Sequence, residues 1–166
     1  MDKKIISVTQ KMIEYFQNDV KRINHALKVT SFACIIAENY SLGKNTVDII
    51  LYSSLLHDIG IKEAIKKYGS STAKYQEMEG PEIAGKLLKD LDIPHETINR
   101  VCYIVGNHHS YNKIDGIDFQ ILVEADFLVN IYEDEMSVDS IKNIYKRIFK
   151  TKEGKRLLDT MYLTPQ

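Results

Sequence analysis

Proline occurs three times and cysteine twice in the 166 residues, and neither sign of charge prevails, with 22 Lys and Arg against 23 Asp and Glu. Each scarcity excludes something. So few prolines, with no stretch rich in glycine and serine and no internal repeat, leave no linker at which the chain could divide. Two cysteines, Cys34 and Cys102, do not make the disulfide framework of a small secreted domain; both lie in apolar helical patterns and are expected to be reduced core residues. A formal net charge of −1 gives no whole-molecule field to draw in nucleic acid or an acidic membrane. Long hydrophobic runs are lacking too: the densest, residues 121–131, is broken by Glu124 and Asp126 and is too short to span a bilayer. Nothing at the N-terminus resembles a signal peptide. These absences predict a soluble, cytoplasmic protein, one domain over residues 1–166, with no nucleic-acid polymer or membrane among its partners.

What is present is an ordinary globular balance, 44% apolar and 27% charged, arranged almost throughout with helical periodicity. A first helix is predicted over residues 3–17, burying Ile6, Ile13 and Phe16, and a second, capped by Asn18 or Asp19, runs to about Tyr40. Asn45 opens a third that stops near Gly60. The pattern weakens over residues 61–75, where Gly69 to Thr72 form a loop. Further helices are predicted over residues 76–91, from Pro94 to about 106–109, and from an Asp118 cap to Tyr132. A basic amphipathic segment from Ser137, residues 137–163, follows. No run alternates with the two-residue period of a strand, so the predicted class is all-α, a bundle of about seven to eight helices.

Three places in this pattern carry chemistry. His25 shares a face with Val29, Phe32 and Ile36, so its imidazole points inward. Alone, such a histidine is ordinarily a hydrogen-bonded core residue. His57 and Asp58 end an apolar helix; they point about 100° apart, yet both reach one ion placed off the helix end. Asp126 is the most telling, a carboxylate on the same face as Leu122, Val123 and Val129. Ionised there it costs several kcal/mol unless a cation or strong donors compensate. Glu124, two residues earlier, is read as a solvated or peripheral charge. Two imidazoles and two carboxylates from three separate helices suit one divalent ion (Mn, Fe, Co, Ni, Zn or Mg) with positions left for water and substrate oxygens.

The order of these residues, a histidine on an early helix, a His-Asp doublet and a distant aspartate, resembles the HD superfamily of metal-dependent phosphohydrolases. The segments around His25, His57-Asp58, residues 80–84, residues 107–110 and Asp126 carry the likeness, which spans residues 21–130. The resemblance implies an all-α core, metal ligands at His25, His57, Asp58 and Asp126, and hydrolysis of a small phosphoester, most often of a nucleotide, with Asp58 also holding the attacking water. Two departures stand out. Binuclear relatives carry another histidine where this chain has residues 75–81; Glu79, or else Gln76, is the substitute there, and one metal rather than two is the expectation. The lysine that often follows the doublet is displaced to Lys62, read either as a phosphate contact or as a surface charge. His108 and His109 match a position that binds a second metal or contacts substrate phosphate, beside the plainer reading of a polar helix end. The Gly-Tyr-Pro signature of the cyclic-dinucleotide branch is absent from residues 112–120.

His95 follows Pro94 at a helix start and is read as exposed, and the tyrosines as packing rather than a base-stacking platform. Three functions compete: a phosphohydrolase, a metal-holding module that senses a nucleotide or a partner without turnover, and di-iron oxidation, which needs a complete second ligand set.

Overall fold

The computed structural model describes residues 2–164; Met1, Pro165 and Gln166, the ends of the range expected for the domain, lie outside them. Asp2 caps α1 (Lys3–Phe16), its carboxylate accepting from the Lys4 amide at 2.9 Å. The buried stripe of α1 is Ile5, Val8, Met12 and Phe16, whereas Ile6 and Ile13 are each 39% exposed. The expectation for those two isoleucines fails because the 5-8-12-16 spacing defines the inward face and leaves them on its shoulders. Asp19 caps α2 (Val20–Ala37), on which His25, Ala26, Val29, Ala33 and Ile36 turn inward. Cys34 lies off that face and is exposed, and Cys102 is only half-buried, so neither is the core residue expected.

The next helix, α3 (Lys44–Leu56), is buried on every side from Ile49 onward, because α1, α2, α6 and α7 surround it. Its N-cap is Gly43, not Asn45; the Asn45 amide oxygen instead accepts from the Thr97 hydroxyl at 2.6 Å. An unexpected short helix follows, α4 (Ile61–Tyr68), which buries only Ile61 and Ala64 and ends at Gly69 in the left-handed conformation (φ 65°). Gly60 does not stop α3 through a left-handed turn, since its φ is −71°. Its small size matters for another reason: a Cβ there would sit 2.7 Å from the Gly80 backbone nitrogen of the next helix. The absence of a side chain lets the corner that carries His57 and Asp58 lie against backbone.

That next helix is α5 (Ala73–Leu88), which starts earlier than expected and packs on α4 and on α6 (His95–Val105). A short 3-10 turn at Tyr111–Lys113 leads to α7 (Ile117–Glu133), whose N-cap is Gly116. Asp118 lies inside the first turn and accepts from the Arg100 guanidinium at 2.8 Å, while Asp115 accepts from the same group, tying this connection to α6. The basic segment is broken into α8 (Val138–Arg147), α9 (Lys152–Leu158) and a final π-type turn, Asp159–Leu163.

Glu124 corrects the sequence reading most sharply: it is fully buried. Its Oε1 accepts from the Gln120 amide (2.7 Å) and from the backbone N–H groups of Lys150 (2.6 Å) and Thr151 (2.9 Å), and its Oε2 from the Thr151 hydroxyl. Thr151 in turn caps α9 by accepting from the Gly154 amide. Four donors satisfy one carboxylate, which therefore clamps the C-terminal helices onto α7. Among the described residues there is no strand, and no helix is long and apolar enough to cross a membrane.

Candidate metal centre

α2, α3 and α7 pack on one another, so His25, the α3 end and Asp126 meet in the interior. The Nε2 of His25 lies 3.1 Å from Asp126 Oδ1 and 3.2 Å from His57 Nε2. His57 Nε2 is 3.5 Å from Asp126 Oδ1, and Asp58 Oδ2 stands 3.6 Å from His57 and 3.7 Å from His25. Ligands about 2.1 Å from one ion at roughly 90–110° to one another stand about 3.0–3.4 Å apart. The observed separations, 3.1–3.7 Å, start inside that range and exceed it slightly; the ligand atoms of His25, His57 and Asp58 lie close enough together to hold one cation, and Asp126 touches both imidazoles.

The tautomers point the same way. His57 spends its Nδ1–H on the Ser54 carbonyl (2.9 Å), His108 on the Val105 carbonyl (2.8 Å), and His25 on the Glu133 carboxylate (2.9 Å). All three rings therefore turn Nε2 inward. Among the described residues only the Asn130 amide, donating to Asp126 at 2.9 Å, supplies a fixed donor to this group of nitrogens and carboxylates. His108 Nε2 is buried with no hydrogen-bond partner among the described residues. Acceptors facing acceptors repel unless positive charge fills the space between them.

Without a metal, protons supply that charge. Burial opposes the proton on His57, but the carboxylates of Asp58 and Asp126 outweigh it and raise its pKa to about 9. His25 is raised despite burial, through its bond to Asp126. Burial would raise the pKa of both aspartates, yet the imidazoles beside them lower it. The signs fix the pH response. In the metal-free protein the proton on His57 stabilises the fold fully below its ordinary 6.5, and this contribution is lost as pH rises through about 9. A metal must expel that proton. Apparent affinity for Mn2+ should therefore climb about tenfold per pH unit for each proton released, and a competition titration between pH 6.5 and 9 reads it. A flat profile would contradict the arrangement.

Asp58 faces two ways. Its Oδ1 lies 3.6 Å from His108 Nε2, so it joins the His25–His57 group to a second one formed with His108 and His109. Glu77 on α5 fixes that second turn, accepting from the His109 amide (3.0 Å) and the Ser110 hydroxyl (3.2 Å). Gln76 donates its amide to the Ser71 carbonyl (2.6 Å), which turns Oε1 toward His109 Nε2 at 3.3 Å. Burial, and then His108, lower His109 to about 4, so it is neutral at physiological pH.

Two expected contacts are not brought to the centre. Glu79 accepts from Lys67 (2.6 Å) and the Tyr68 hydroxyl (2.8 Å), facing α4; Gln76 and Glu77, not Glu79, are the α5 residues beside the histidine pair. Lys62 donates to the Tyr15 carbonyl at 2.8 Å and lies over the Tyr15 ring, because the extra residue before it turns its side chain toward α1.

Sequence reasoning missed Asn130 and Glu133. Their spacing of four and seven residues from Asp126 places them on one face of α7, a signal that was available. Glu133 also pairs with Lys28. Since a carboxylate behind a ligating imidazole raises its basicity and holds its ring, Glu133→Gln should weaken metal binding by about 10–100-fold. Turnover at saturating metal should be largely kept. An unchanged metal dissociation constant would remove Glu133 from this role.

No curated protein matches the chain. In structure it is similar to a crystal structure described as a predicted HD superfamily hydrolase from an uncultured Thermotogales bacterium. The identity is 20% and the TM-score 0.67, over 94% of this chain and 83% of that one. The family model for the HD domain matches residues 22–153, a span that holds all four convergent residues. The chain belongs to the HD-domain superfamily of metal-dependent phosphohydrolases.

Proposed function

We propose that this chain hydrolyses a phosphoester of a small metabolite, with His25, His57, Asp58 and Asp126 holding one divalent cation. The observation that carries the reading is the convergence of inward Nε2 atoms and carboxylate oxygens, to which the described residues offer a single fixed donor. When bound, such a cation acidifies a water and offsets charge on phosphoryl oxygens. The protein's own groups do the rest. Asp58 Oδ1 and His108 Nε2 face each other 3.6 Å apart, and the carboxylate can orient a water between them and accept its proton. A P–O bond forms from that water, the ester P–O bond breaks, and the leaving alkoxide recovers a proton from solvent. His109, neutral and held by Gln76, borders the same space as a phosphate contact.

The test is a panel of phosphomonoesters and phosphodiesters, nucleotides included, offered to protein loaded with Mn2+, Co2+, Ni2+ or Mg2+. Turnover of at least one compound is expected; a metal-replete protein inert across the panel would falsify the hydrolase reading. A second reading, a metal-holding module that binds a phosphorylated ligand without turnover, draws on the Gln76 amide standing beside the second histidine group and on Lys62 lying against α1. Tight binding without product would favour it.

A further inference from the structure

The mouth of the metal centre is a cavity of about 290 Å³, whose inner wall includes His25 and Asp58. Resting on the function proposed above, we infer that it receives a compact, hydroxyl-rich phosphomonoester, a sugar or polyol monophosphate, in preference to a nucleotide.

Size is the first argument. Pockets for drug-sized ligands run roughly 300–1,000 Å³, so 290 Å³ lies at the bottom of that range.

Chemistry is the second. Two cations, Lys21 and Arg22, stand on the wall, and Arg22 precedes His25 by one helical turn of α2, within reach of a phosphate at the centre. The Arg22 guanidinium is only partly engaged. Nη1 pairs with Asp19, while Nε is buried with no hydrogen-bond partner among the described residues. Nη2 makes no hydrogen bond among the described residues, so that edge of the fork is the one that can meet a phosphoryl oxygen from the cavity. The outer wall is polar as well: Ser71, Asn130 and Asp134 offer a hydroxyl, an amide and a carboxylate, groups that pair with sugar hydroxyls.

What the wall lacks completes the case. The wall holds no Phe, Tyr or Trp; its one ring, the His25 imidazole, is engaged at both nitrogens by Glu133 and Asp126, and Ile61 is the one apolar side chain among the lining residues. A nucleobase binds through its faces, which need an aromatic or apolar platform. Here those faces would lie against charges and amides deprived of water, a desolvation without compensation. Tyr111 does not supply a platform in this cavity: its ring packs on Phe127, 5.4 Å between centroids, and is not part of the wall.

Calorimetric binding of ribose 5-phosphate, glycerol 3-phosphate and AMP to the Mn2+-loaded wild-type protein decides the matter without requiring turnover. At least one of the two polyol phosphates should bind at least about tenfold more tightly than AMP. AMP binding equally or more tightly overturns the inference, whether or not AMP is hydrolysed. Tight polyol phosphate binding with no product supports the ligand class while sinking the hydrolase reading, so the two failures are separable. Arg22→Gln should weaken binding of the preferred phosphate about tenfold or more and leave Mn2+ affinity unchanged, with Arg22→Lys recovering part of the loss. Phosphate affinity unaltered in Arg22→Gln overturns the wall assignment. Should loss of the Asp19 contact unfold that variant, Lys21→Gln reads the same wall by the same weakening.

Discussion

Asp58→Asn is expected to lose turnover by a factor on the order of a thousand or more, because one substitution removes a cation ligand and the group facing His108. The side chain keeps its shape, so the loss should come without unfolding. In the metal-free variant the asparagine amide can take the place of the proton that the carboxylate held on His57, donating toward that imidazole itself. The variant should therefore melt at or above the wild-type temperature while binding Mn2+ far more weakly. That opposition of stability and affinity marks a functional carboxylate rather than a structural one. Lys62→Ala is the control: with its ammonium on the Tyr15 carbonyl, it should leave turnover within about twofold of wild type. Activity surviving in Asp58→Asn would mean that the chemistry is elsewhere.

The second large effect falls on stability and spares the chemistry. Glu124→Ala should cost about 3–5 kcal/mol, since it strands the amides of Lys150, Thr151 and Gln120 together with the Thr151 hydroxyl in a dry interior. For a chain of this size that lowers the melting temperature by roughly 10 °C. Glu124→Gln should fall between, because it keeps one acceptor but presents an amide to donors. Gly154→Ala attacks the same joint from the other side, as its Cβ would meet the Glu124 carboxylate and come within 2.6 Å of the Thr151 hydroxyl. Thermal denaturation of the three variants reads the effect. Melting within about 2 °C of wild type in all of them would show that this carboxylate is dispensable.

Glu124 and Asp126 show how far the sequence could be read. The argument for Asp126 relied on apolar neighbours and placed it inward. The same argument, extended by two residues, sent Glu124 outward, on the assumption that α7 has a wet face. It has none along that stretch: residues 118–126 are buried all round, packed by α2, α3 and α9, so position on the helix no longer distinguishes inside from outside. His25 was legible because α2 keeps one apolar stripe and one solvated side. α4 escaped notice because two buried residues in eight make too weak a period. Lys62, Glu79 and Gln76 were interchangeable in one dimension. Which of them meets the histidines depends on how α4 lies against α1 and α5, and nothing in the spacing of the residues encodes that. The interior polar bonds of Glu133 and Glu77 were hidden likewise, since a glutamate on a helix surface looks the same in sequence with or without a buried partner.

The Nδ1 bonds of His57 and His108 have a consequence for how the centre is assembled. Each ring closes onto a main-chain carbonyl three residues earlier, at the ends of α3 and α6, where such oxygens have no helical partner of their own. These histidines finish their helices whatever lies at their other nitrogen. The cradle is thus shaped by backbone termination before any ion arrives, in contrast to small zinc modules that collapse when stripped. A chelator should yield a quiescent but intact protein that regains its function on remetallation without having to refold.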